Sequence, residues 1–241
     1  DAANYDYTAS VQYPFGYGLS YTDFEWSNYK VADKGDNYEV SVDVKNTGSV
    51  AGKDIVQIYM QSPYTEYDKE QGIEKASVQL VGYAKTDMLD AGASATVTVT
   101  VPKEQMKVYD ANGYGTYIVD AGDYYFTAAN NAHEAVNNIL AAKGYSEEQG
   151  MDQAGNADQT SKVTVNEIDA KTYAASQATG NEITNQFEDV DIKKYDDSYQ
   201  YLSRSDWTGT WPETYNGGTW EAPDALLSDL ELHTDESSNS A

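Results

Sequence analysis

Between residues 38 and 45 the chain alternates strictly, with Tyr38, Val40, Val42 and Val44 on one side and Glu39, Ser41, Asp43 and Lys45 on the other. A period of two with one apolar face predicts a half-buried β-strand. Asn46-Thr47-Gly48 supplies turn residues, and the continuous apolar run Ile55-Val56-Gln57-Ile58-Tyr59-Met60 predicts a strand covered on both faces. The short connection suggests that these two strands pair as a hairpin. A run from Val78 to Tyr83 follows, then the turn Asp90-Ala91-Gly92, and then Val97, Val99 and Val101 alternating with Thr96, Thr98 and Thr100 up to Pro102. Ala121-Gly122-Asp123 turns into a strand at Tyr124 to Ala129, and Lys162 to Ile168 offers a last one. About seven short strands separated by turns predict an all-β fold, an immunoglobulin-like or fibronectin type III-like antiparallel β-sandwich.

A helix interrupts this pattern. Asn131 stands as N-cap with Glu134 three residues later, and Ala132, Ala135, Val136, Ile139 and Leu140 form an apolar stripe that stops before Gly144. Residues 145–161 are polar and predict a loop. The pattern divides the chain into an N-terminal connector over 1–24, the sandwich with its inserted helix over 25–170, and an extended tail over 171–241. The tail has 14 acidic and 4 basic residues with little periodicity, which suggests a connector or a segment wrapped on a neighbour. The absence of an initiating Met and the polar opening suggest a piece of a longer chain, so a missing secretory signal is uninformative.

Charge narrows the function. With 15 Lys and Arg against 40 Asp and Glu, the formal net charge is -25. Such a field repels phosphate backbones, so no nucleic-acid partner is expected. No apolar run approaches the roughly 20 residues of a spanning helix, so no membrane insertion is expected. The chain has no cysteine, which removes disulfides, thiol nucleophiles and thiolate metal sites. Its 22 tyrosines suit strand surfaces and sugar contact alike. Compartment stays open between bacterial cytoplasm and an extracellular setting.

Candidate chemistry is sparse, and no catalytic, cofactor-binding or metal-ligating residue is expected. Ser205-Asp206-Trp207 has the composition of a nucleophile setting, but Tyr199 to Arg204 lack the apolar run of a buried parallel strand, so a turn or helix cap is the better reading. His133 lies off the helix stripe and His233 lies in the polar tail, so neither suggests a ligand or a triad. Asp110-Ala111-Asn112-Gly113 and the stretch from Asp152 to Asp158 lack calcium-loop spacing and predict turns. The aromatic residues Tyr13, Phe15, Tyr17 and Tyr21, with Trp207, Trp211 and Trp220 in the tail, have two readings, packing between domains or contact with sugar. Packing is favoured, because contiguous aromatic surface usually marks an interface.

Tyr13-Pro14-Phe15-Gly16-Tyr17-Gly18-Leu19-Ser20-Tyr21-Thr22 resembles the segment that joins the α/β sandwich domain of glycoside hydrolase family 3 enzymes to their fibronectin type III-like domain. Asn46-Thr47-Gly48, Ala51-Gly52, Val56-Gln57-Ile58-Tyr59, Leu80-Val81-Gly82-Tyr83, Ala91-Gly92 and Ala121-Gly122-Asp123-Tyr124 are similar to landmarks of that domain, in the same order. The similarity runs over roughly residues 11–170. The helix at 131–143 departs from it as an insertion. The tail, with Ile183 to Phe187 and Tyr201 to Trp207, is similar to connectors in members of permuted domain order, where the catalytic barrel follows the sandwich.

The resemblance implies a non-catalytic structural domain of a β-glucosidase-like enzyme without a cofactor. Its partners would be an α/β sandwich domain and a (β/α)8 barrel of the same polypeptide. The family cleaves terminal β-linked glucose or related sugars with retention, using an aspartate nucleophile and an acid/base carboxyl about 5 to 5.5 Å apart. Both are expected outside this chain. A carbohydrate-binding module and a cell-surface adhesion module are the alternatives.

Overall fold

The computed structural model describes residues 7–205. A short helix, α1 (Tyr7–Ser10), precedes β1 (Phe24–Asp33), β2 (Asn37–Asn46) and β3 (Ile55–Gln61). Helix α2 (Glu66–Gln71) lies between β3 and β4 (Gln79–Lys85), and β5 (Ser94–Pro102), β6 (Val108–Asp110), β7 (Thr116–Ile118) and β8 (Gly122–Ala129) follow. Helix α3 (Ala132–Ala142) then leads to β9 (Thr160–Val165).

Two sheets form the sandwich, one ordered β1-β2-β5 and the other β4-β3-β8-β9, with β6 and β7 as a separate hairpin. Each of these pairings is antiparallel. In β2 and β5 the alternating valines meet in register, Val40 opposite Val99 and Val42 opposite Val97. They enter one core with Val44, Val56, Ile58, Val101, Tyr124 and Phe126. Burying each such side chain contributes roughly 1.5–3 kcal/mol. On the outward side of the same pair Thr96 donates a hydrogen bond to Asp43 at 2.5 Å, the polar half of the alternation. A second tie crosses the core, where the half-buried Tyr29 donates to the Phe126 carbonyl at 2.8 Å and burial pushes its phenol pKa well up.

Strand β3 is buried from Val56 to Met60 because both its faces are covered there. Val56, Ile58 and Met60 point into the sandwich, while Tyr59 packs beneath α3 with Ala129 and Ala135. Asn131 caps α3 as the sequence predicts, accepting from the Glu134 amide at 2.9 Å. The buried face is rotated from the expected stripe, however. It consists of Ala135, Asn137, Asn138 and Ile139, while Val136 and Leu140 are half-buried. Asn138 repays its burial in hydrogen bonds, donating to the Ala128 carbonyl at 3.2 Å and accepting from the Asn156 amide at 2.7 Å. Residues 145–159 thereby fold down onto the helix.

Two sequence expectations are corrected. Strands β2 and β3 do not pair, since β2 lies between β1 and β5 and β3 lies between β4 and β8. The fully buried Asn46 redirects the chain between the sheets. Its Oδ1 accepts from the Thr22 hydroxyl at 2.7 Å and the Gly48 amide at 3.0 Å, and its Nδ2 donates to the carbonyls of Val50 at 2.8 Å and Leu89 at 2.9 Å. The last strand is also displaced, running over Thr160–Val165 instead of 162–168.

Candidate functional site

The aromatic segment at 13–21 is a backbone held tightly to the sandwich with its large side chains turned outward. Gln57 and Tyr59 on β3 hold it. Gln57 Nε2 donates to the Gly16 carbonyl at 2.9 Å and to the Asn130 carbonyl at 2.8 Å, and the Tyr59 hydroxyl donates to Gln57 Oε1 at 2.8 Å. Burial pushes the Tyr59 pKa up to about 12, so this phenol keeps its proton and stays a donor. The Ala132 amide, at the start of α3, donates to the Phe15 carbonyl at 2.8 Å. Gly16 has a φ of +87°, and a Cβ there would lie 2.3 Å from the Tyr59 hydroxyl, so both its conformation and its closeness to β3 require glycine.

Above this clamp the exposures are 63% for Tyr13, 67% for Phe15, 44% for Tyr17, 88% for Leu19 and 102% for Tyr21. The Tyr13 and Tyr17 rings lie 5.1 Å apart and tilted by 42°, so they offer no flat platform. A shallow groove of about 400 Å³ runs alongside, walled by Gly18, Leu19, Phe24, Asp54, Lys85 and Asn130. Asp54 in its wall accepts from the Trp26 indole at 2.5 Å, and burial raises its pKa.

The tail leaves a second set of apolar groups in solvent, among them Phe187, Val190, Tyr195 and Leu202. It returns to the sandwich at Arg204, whose guanidinium donates to the Lys75 carbonyl at 2.8 Å and stacks over Tyr64 at 4.7 Å. Trp207, Trp211 and Trp220 lie outside the described residues, as do Asp206 and His233.

Two charged clusters were not expected from the sequence. His133 Nε2 lies 2.7 Å from Asp152 Oδ2, with its ring stacked 4.0 Å from that of Tyr7, which ties the loop after α3 to the helix start. More deeply placed, Lys75 Nζ sits 2.6 Å from Asp68 Oδ1 and in direct contact with Asp120 Oδ2. Nothing local announces this triad, because its members lie in polar stretches that read as loop. Asp110, where the sequence predicts a turn, accepts from the amides of Gly113 and Tyr114, each at 2.8 Å, and from the Tyr67 hydroxyl at 2.5 Å. Its carboxylate is thus fully engaged in closing the β6–β7 hairpin. Among the described residues no group of three or more His, Cys, Asp or Glu side chains is placed to hold a metal.

Residues 54–132 match the family model for the Fn3-like, or fibronectin type III-like, domain. The chain contains a fibronectin type III-like domain. Its relatives include β-glucosidases. The chain is 35% identical over 129 residues to a β-glucosidase of Ruminococcus albus, a stretch covering 52% of this chain and 13% of that enzyme. It is 34% identical over 128 residues to thermostable β-glucosidase B of Acetivibrio thermocellus, covering 52% of the chain and 16% of the relative. The solved structure of β-glucosidase 3B from Thermotoga neapolitana with glycerol superposes with a TM-score of 0.50 at 25% identity, covering 68% of this chain and 19% of that one. The matched stretches make up 13–19% of these β-glucosidases, so the chain spans a small part of their length.

The clamp makes a prediction. Gln57→Ala leaves the carbonyls of Gly16 and Asn130 without their donor, and a lost hydrogen bond of this kind costs about 1–3 kcal/mol when its partner stays buried. Thermal unfolding should show that loss, and limited proteolysis should cut within residues 11–22 faster than in the parent sequence.

Proposed function

We propose that this chain is a non-catalytic scaffold within a family 3 glycoside hydrolase, in which residues 13–21 dock against other domains of the same polypeptide. In this reading residues 1–24 connect from an upstream α/β domain, 25–170 form the sandwich, and 171–241 lead toward a catalytic barrel. The parent enzyme hydrolyses terminal β-linked glucose or a related sugar with retention.

The observation that carries this is the pairing of a clamped backbone with solvent-exposed Tyr13, Phe15, Leu19 and Tyr21. A mobile loop exposes apolar groups by default, whereas a segment held at the Gly16 carbonyl by Gln57 on β3 and at the Phe15 carbonyl by the Ala132 amide of α3 presents them in one geometry. Each such side chain forgoes roughly 1.5–3 kcal/mol by staying in water, which a partner surface would recover. Trp207, Trp211 and Trp220 would serve the same interface from the tail. The tilt between the Tyr13 and Tyr17 rings disfavours stacking on a sugar face, the alternative role for these aromatics.

The chain alone should show no turnover of aryl β-glucoside, β-xyloside or β-galactoside. Hydrolysis that disappears in Asp206→Asn would defeat the scaffold reading, because it would place a nucleophile within this chain.

A further inference from the structure

Neither the fold nor the docking surface uses the chemistry of Lys75. Its Nζ lies 2.6 Å from Asp68 Oδ1, touches Asp120 Oδ2, and donates to the Pro63 carbonyl at 2.9 Å. The side-chain exposures are 7% for Lys75, 0% for Asp68 and 1% for Asp120. Asp120 Oδ1 is buried without a hydrogen-bond partner. Asp68 is fixed from behind by the α2 cap, where its Oδ2 accepts from the Thr65 amide at 2.6 Å and the Thr65 hydroxyl at 3.0 Å. An amine and a carboxyl are therefore held in contact, shielded from water, with a second carboxylate on the amine.

We infer that Lys75 Nζ and Asp120 Cγ become joined by an intramolecular isopeptide bond, with Asp68 as the proton carrier. Three features favour bond formation over a permanent ion triad. Holding two reactants in contact replaces a bimolecular encounter with a unimolecular step, which lowers the barrier to condensation. Exclusion of water opposes the reverse hydrolysis. A buried ammonium and its partner carry a desolvation penalty that a neutral amide does not. Burial also raises the pKa of Asp120, favouring the neutral acid that an amine can attack.

The step balances within the three side chains. Asp68 carboxylate takes one proton from the Lys75 ammonium, and the freed lone pair attacks Cγ of the protonated Asp120 to form the Nζ–Cγ bond. Asp68 passes that proton to the departing hydroxyl, the Cγ–O bond breaks and water leaves. Asp68 then takes a second proton from nitrogen. The products are a neutral secondary amide, one water and protonated Asp68, and no oxidant or co-reactant is needed. The amide would bridge 45 residues, from the β3–β4 connection to the start of β8, in a chain without cysteine.

Intact mass spectrometry of the 241-residue chain under denaturing conditions tests this. The expected mass is one water below that of the sequence, with a proteolytic fragment joining the Lys75 and Asp120 peptides. Lys75→Arg and Asp120→Ala should each restore the full mass, and Asp68→Asn should leave most molecules unlinked. A wild-type mass equal to the sequence overturns the proposal, as does a deficit that persists in Lys75→Arg. Complete linkage in Asp68→Asn overturns the role given to Asp68. The wild-type mass decides the central point by itself, so a variant that fails to fold does not obscure it.

Discussion

Lys75→Met is expected to lower the unfolding free energy by at least about 3–5 kcal/mol, the cost of leaving a buried charge set uncompensated. The variant removes the only cation that contacts Asp68 and Asp120 among the described residues and leaves two carboxylates facing each other at 0% and 1% exposure. Asp68 also closes the capping box of α2, so the damage should spread to that helix and free the β3–β4 connection. The triple variant Lys75→Met, Asp68→Asn, Asp120→Leu leaves no formal charge in the site and should regain most of the electrostatic part, since neutral replacement of a whole buried ion set is often close to neutral. What it does not regain measures the Lys75–Asp120 amide, on the order of 4 kcal/mol for a closed loop of that span. Urea unfolding of the three proteins gives these differences, and a loss below about 1 kcal/mol in Lys75→Met would show that the triad does not anchor the connection.

Phe126→Ala should cost about 3–5 kcal/mol, the range for truncating a large aromatic residue in a close-packed interior. Phe126 has no exposed surface, and its ring lies 5.1 Å from that of Tyr38 on the opposite sheet. Its carbonyl receives the Tyr29 hydroxyl, so collapse around the cavity would also disturb that tie between the sheets. Phe187→Ala is the matched control. That side chain is 75% exposed, and its loss should stay within about 0.5 kcal/mol in the isolated chain. Similar losses for the two variants would mean that the tail belongs to the core.

The contrast between these sites shows what was legible in the sequence. Val42, Val44, Val97 and Val99 enter the shared core because one-sided burial imposes a period of two that survives in the sequence, while Val56, Ile58 and Phe126 join it from strands covered on both faces, which read as apolar runs. Strand β1 escapes the same reading because its register slips between Ser27 and Lys30, where Asn28 takes a φ of +54° and breaks the alternation. The exchange of sheets after β2 depends on Asn46, whose four hydrogen bonds reach Thr22, Gly48, Val50 and Leu89, and turn composition does not report such reach. Asn137 and Asn138 on α3 are a similar case, since polar residues on a helix read as its solvent face unless their partners are known. The triad is the extreme, with Asp68 and Lys75 in a polar stretch and Asp120 far along the chain. For the aromatic residues at 13–21 the sequence shows only their clustering, while Gln57 and Tyr59, whose side chains reach under that segment, read only as strand.

The central claim is that Tyr13, Phe15, Tyr17 and Tyr21 face other domains of the same polypeptide. Hydroxyl-radical footprinting reads side-chain exposure residue by residue and can be applied to the 241-residue chain and to the longer protein in which the proposal places it. The account predicts high reactivity at these four positions in the isolated chain and strong protection in the longer protein, with Tyr114 in the β6–β7 turn, 55% exposed, unchanged as reference. Equal reactivity of the four aromatic residues in both proteins would contradict it.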